Sequence, residues 1–117
     1  MATTATRVTT ITYSGDVNGT ETTGGAANAA SPAQSQIITL AVGANTITAP
    51  ASGTTPTALT IIPPAGNATA VTLKGVSGDT GIPIHLTDSL TISLASGFTS
   101  LVLSVGTQIV GVRLLWS

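Results

Sequence analysis

Leu90-Thr91-Ile92-Ser93-Leu94, then Leu101-Val102-Leu103-Ser104-Val105-Gly106, then Val110-Gly111-Val112-Arg113-Leu114-Leu115-Trp116 is the part of this sequence that decides its fold. Apolar side chains return at every second position with hydroxyls or a charge between them. That period belongs to a strand, in which successive side chains point to opposite faces. Leu90, Ile92 and Leu94 share one face, as do Leu101, Leu103 and Val105. Val110, Val112, Leu114 and Trp116 are predicted to form the inward face of a last strand, with Arg113 outward and Trp116 closing the end of the core.

Upstream the same rhythm continues between Gly, Pro and Asn punctuation. Ile38, Leu40 and Val42 are predicted to share a face, with a turn at Gly43-Ala44-Asn45 before Ile47. Leu59 and Ile61 follow and end at Pro63-Pro64, since proline cannot donate a ladder hydrogen bond. Val71 and Leu73 point one way, Thr72 and Lys74 the other. Six or seven short strands are therefore expected from Ile37 onward. Such spacing predicts an all-β fold: an antiparallel β-sandwich or small barrel, jelly-roll-like in connectivity, over residues 37–117. Residues 1–36 are predicted to be an extended N-terminal arm with one short strand, Arg7 to Tyr13, followed by the turn-like Asp16-Val17-Asn18-Gly19. Glu21 to Ser35 has almost nothing to bury, so a neighbouring surface must help to order it.

The 117 residues fit one domain, and only 6% of them are charged where about 25% is usual. The charges are Arg7, Lys74 and Arg113 against Asp16, Glu21, Asp79 and Asp88. Three scattered cations supply no footprint for a phosphate backbone or an anionic bilayer, so neither nucleic acid nor membrane is an expected partner. No run of about 18 apolar residues is present to span a bilayer as a helix, and residues 1–7 have no apolar export core. Cysteine is absent, which removes disulfides, thiol catalysis and cysteine-bound zinc. Threonine, 23 times, and serine, 11 times, replace charge as the main polar groups, and threonine favours strands.

Candidate chemistry is sparse. His85 is the sole histidine; with Asp79 or Asp88 and a serine it would make a triad, but no serine lies in a Gly-x-Ser-x-Gly elbow. Asp79, His85 and Asp88 match neither zinc nor calcium spacing. Asp79-Thr80-Gly81 matches the triplet of aspartic proteases, yet Val76-Ser77-Gly78 precedes it in place of an apolar strand, so Asp79 is expected in a glycine turn. The glycine-rich 75–83 segment lacks a P-loop ending, and the sequons at Asn18 and Asn67 are expected to shape turns. No catalytic, cofactor-binding or metal-binding residue is assigned, no cofactor is expected, and the chain is expected not to be an enzyme.

Ile61-Ile62-Pro63-Pro64-Ala65-Gly66-Asn67, then Thr72-Leu73-Lys74-Gly75-Val76-Ser77-Gly78-Asp79-Thr80-Gly81-Ile82, then Val112-Arg113-Leu114-Leu115-Trp116 resembles small virion proteins of tailed bacteriophages. The likeness covers Gln36 to Ser117, and its motifs are structural turns. It implies an accessory or decoration-type structural component of the head, neck or tail. Such a component assembles in the host cytoplasm, self-associates and docks on capsid or tail proteins, with no catalytic residue carried over. Trimeric closure is expected by analogy with other jelly rolls. The competing class is a glycan- or receptor-binding sandwich, for which Phe98 in Gly97-Phe98-Thr99 is the candidate stacking surface, although a loop aromatic is expected rather to fold onto the core, since aromatic area is costly to expose.

Overall fold

The computed structural model describes residues 8–13, 19–24, 34–50, 56–95 and 97–117. Among them are ten strands: β1 (Val8–Tyr13), β2 (Gly19–Gly24), β3 (Gln34–Leu40), β4 (Gly43–Thr48), β5 (Ala58–Ile62), β6 (Val71–Lys74), β7 (Ile82–Pro83), β8 (Leu90–Ser93), β9 (Ser100–Val105) and β10 (Ile109–Trp116). No helix occurs among the described residues, hence none long and apolar enough to cross a membrane.

Strands β3 to β10 form two four-stranded antiparallel sheets, ordered β3-β10-β5-β8 and β4-β9-β6-β7. The pairs β3/β10, β4/β9, β5/β8 and β6/β7 are the rungs of one long hairpin whose tip is the β6–β7 loop. Rolling that hairpin adds the contacts β10/β5 and β9/β6 and produces a jelly roll. Leu40, Leu59, Ile61, Val112, Leu114 and Trp116 from the first sheet pack against Ile47, Val71, Leu101, Leu103 and Val105 from the second. All of these are buried, as the period of two requires when one face of each sheet is covered.

Three details depart from the sequence expectation. Val110, expected inward, is 68% exposed, whereas Ile109 is buried. The cause is a bulge: Val110 pairs with Thr39 and Val112 with Ile38, so Gly111 is the extra residue, at φ +89°. An inserted residue reverses the alternation, and glycine is the residue that enters this conformation without strain. Val42 likewise leaves the face of Leu40, because β3 ends at Leu40 and the turn is made at Ala41 and Val42 rather than at Gly43-Ala44-Asn45. Finally, eight strands follow the arm, not six or seven; β7 has two residues, one of them Pro83, too few to show a period.

The boundary of the arm also moves. Gln34, Ser35 and Gln36 pair with Trp116, Leu115 and Leu114, and the indole Nε1 of Trp116 donates to Gln36 Oε1 at 3.3 Å, so the sandwich begins at Gln34. Upstream, β1 has a partner: it pairs with β2 from Val8↔Gly24 to Tyr13↔Gly19 in a separate two-stranded ladder. The Asp16-Val17-Asn18 part of the expected turn lies outside the described residues.

Two glycines separate backbone strain from crowding. A Cβ on Gly111 would meet nothing closer than Pro64 at 3.9 Å, so Gly111→Ala should cost only the conformational penalty, about 1–2 kcal/mol. Gly81 has φ +79°, and its Cβ would lie 2.6 Å from Thr72 Cγ2 and 2.7 Å from the Leu73 carbonyl. Gly81→Ala should therefore cost more, about 3 kcal/mol, because β6 and the loop must part. Chemical denaturation followed by the emission of Trp116, the only tryptophan, ranks the two; equal losses would contradict the crowding at Gly81.

Candidate functional site

The outer face of the β3-β10-β5-β8 sheet is built by the register. Arg113 stands between Ile37 on β3 and Ile62 on β5; Val110 and Thr39 form the next row on one side, and Leu115, Ser35 and Thr60 the row on the other. Ile37 is 73% exposed and Val110 68%, while Ile62 and Leu115 are half-buried. Thr60 and Thr91 share a hydrogen bond of 2.8 Å between their hydroxyls across β5 and β8. Arg113 is the one ionisable side chain among these positions. Such a face excludes water easily when covered, since little charge needs desolvation. Arg113 was legible in the sequence as an outward residue. Val110 was not, because its outward position depends on the bulge.

The candidate chemical residues are turn organisers. Asp79 Oδ2 accepts from the backbone amides of Gly75 at 3.1 Å and Val76 at 3.0 Å, which holds the β6–β7 loop closed. Lys74, at the base of the same loop, donates from Nζ to the Ser77 carbonyl at 3.4 Å. His85 Nδ1 accepts from the amides of Thr87 at 3.2 Å and Asp88 at 2.9 Å. That nitrogen therefore carries a lone pair, and the ring proton sits on Nε2. Asp88 Oδ2 lies 3.7 Å from the same Nδ1, too long for a hydrogen bond, and a ring whose Nδ1 accepts amide protons brings no charge to it in this arrangement. Asp79 and the His85–Asp88 pair belong to different loops, and among the described residues no group of three His, Cys, Asp or Glu is placed to hold a metal.

Asparagine performs the same task elsewhere. Asn45 accepts from the Ala41 amide at 3.0 Å and donates to the carbonyls of Ala41 and Leu103, which fastens the β3–β4 turn to β9. Asn67 accepts from the Thr69 amide and donates to Thr69 and Leu86 carbonyls, tying the segment after β5 to the one after β7. This is the turn role expected of Asn67; Asn18 lies outside the described residues.

Phe98, the candidate sugar platform, is half-buried and packs on the core, its ring centroid 6.2 Å from that of Trp116 at an interplanar angle of 44°. A tilted pair at this separation is a favourable aromatic contact. At the β7–β8 edge the gap between the sheets opens into an apolar cleft of about 350 Å³, lined by Leu73, Ile82, Ile84, Leu90 and Ile92 together with His85 and Asp88. Sequence reasoning placed Leu90 and Ile92 in the core and could not foresee that β7 is too short to close the sandwich over them.

No family model, no curated protein and no solved structure matches this chain.

If Phe98 shields the indole, Phe98→Ala should shift Trp116 emission to longer wavelength and lower stability by about 1–3 kcal/mol, less than for a fully buried phenylalanine. Fluorescence and denaturation of the same sample measure both; unchanged emission would show that the ring does not cover Trp116.

Proposed function

We propose that this chain is a bacteriophage virion structural protein that self-associates and docks on the particle as a head-decoration, neck or tail accessory component. The observation that carries the self-association is the outer face of β3-β10-β5-β8, where Ile37 and Val110 stand exposed around Arg113 as the one charge. Free surfaces usually carry about 25–35% charged residues, whereas interface cores are depleted in charge and rich in apolar area. The bacteriophage assignment rests on the likeness of the 61–67, 72–82 and 112–116 segments to small tailed-phage virion proteins.

The role is architectural and needs no cofactor. Copies of the chain cover one another's hydroxyl-rich sheet faces, trimeric closure being the preferred symmetry, and the assembly seats on capsid or tail proteins after synthesis in the host cytoplasm. The arm fits this role: an isolated two-stranded hairpin such as β1–β2 is marginally stable in water and gains from a neighbouring surface. Nucleic acid and membrane remain poor partners, since Lys74 is engaged by its own loop and Arg113 stands alone on its face. Glycan recognition, the competing role, would have to work without Phe98 as a free platform, because that ring lies against Trp116.

Native mass of the full chain at high concentration should show a closed oligomer, and protein identification in purified particles should find it there. A well-dispersed single copy that appears in no isolated particle would overturn the proposal. Deleting residues 1–33, which spares β3, should leave the β circular-dichroism spectrum intact and weaken incorporation into particles. Unchanged incorporation would remove the arm from docking.

A further inference from the structure

Four charged side chains fall within the described residues 34–117: Lys74, Asp79, Asp88 and Arg113. Two of them are engaged by a single loop, Asp79 by the Gly75 and Val76 amides and Lys74 by the Ser77 carbonyl. The other two have no such engagement. Among the described residues no carboxylate lies within ion-pair distance of Arg113. Asp88 has an 80% exposed side chain, and the one ionisable group beside it, His85, turns a lone pair toward it while accepting two amide protons.

Each of these charges is set in aliphatic surroundings, and the two surroundings lie on different parts of the molecule. Arg113 is centred on the outer face of β3-β10-β5-β8, between Ile37 and Ile62 and next to Val110 and Leu115. Asp88 is at the edge of the sandwich just before β8, two strands over from β10, in the lining of the apolar cleft, with Ile82 66% exposed nearby. Symmetry then limits how two copies can meet. A two-fold axis through Arg113 brings Arg113 toward Arg113, and one through Asp88 brings Asp88 toward Asp88, both repulsive in a desolvated contact. A head-to-tail contact places the cation of one copy against the anion of the next while covering both apolar areas, and it sets no like charges together.

We propose that the outer face of β3-β10-β5-β8 in one copy seats on the β7–β8 edge of the next, with Arg113 paired to Asp88 of the next copy, and that this contact closes into a ring. The inference deepens the self-association reading and rests on it. Four strands at about 4.8 Å spacing and the length of β10 give a projected face on the order of 500 Å², to which side-chain relief adds. A standard interface takes about 800 Å² of accessible surface per partner, so the face is of the right order. The Ile37 and Val110 side chains fill the mouth of the cleft beside Asp88, which replaces the strand length that β7 lacks.

The test uses the full chain in four forms: unaltered, Arg113→Glu, Asp88→Arg and the double variant, each measured by native mass and by sedimentation over a concentration series. Both side chains are exposed, and unchanged Trp116 emission verifies that each form is folded. The unaltered chain should form a ring, each single reversal should weaken association by roughly tenfold or more, and the double variant should recover most of it. A single-copy unaltered chain would overturn the self-association reading itself. An oligomer indifferent to both reversals, or single reversals that the double variant fails to rescue, would overturn this interface and leave that reading standing.

Discussion

Strand β10 is hydrogen-bonded on both sides, to β3 and to β5, and it sets the register between those two strands. Its inward residues Ile109, Val112, Leu114 and Trp116 run the length of the core, and they can do so only because Gly111 takes a left-handed conformation between the first two. Without that bulge, burying Val112, Leu114 and Trp116 would turn Ile109 to solvent and Val110 inward. One backbone conformation therefore decides both the packing inside the sandwich and the apolar character of its outer face.

The fold also meets the constraint of having almost no charge. Its turns are closed by neutral or locally satisfied side chains that take up backbone donors and acceptors: Asn45, Asn67, Asp79 and His85 each make at least two such bonds. Backbone groups in turns need partners, and a short side chain that reaches back supplies them where no ladder can. Asp79 and His85, which looked reactive in isolation, are taken up in this way.

Arg113 and Asp88 are the exceptions, and their isolation is informative. Of the four charged side chains among described residues 34–117, two are held within one loop; Arg113 has no described carboxylate in ion-pair reach, and Asp88 has only the His85 ring at 3.7 Å. The proposed ring joins them and covers the cleft at the short β7 strand. The proposed self-association and the proposed contact between copies draw on one feature, a sheet face with a single charge.

The period of two from Leu90 to Trp116 determined by itself that the chain is all-β, that Leu101, Leu103, Leu114 and Trp116 are core, and that Arg113 faces out, because alternation is a local property of a pleated strand. Asn67 and Asp79 were legible as turn residues for the same local reason. Tertiary structure alone decided the strand order, the start of β3 at Gln34, the outward position of Val110, the brevity of β7 and the choice of Trp116 as the ring on which Phe98 packs. Each depends on which strand lies beside which and in what register, and long-range pairing energies are invisible to a pattern that extends only a few residues along the chain.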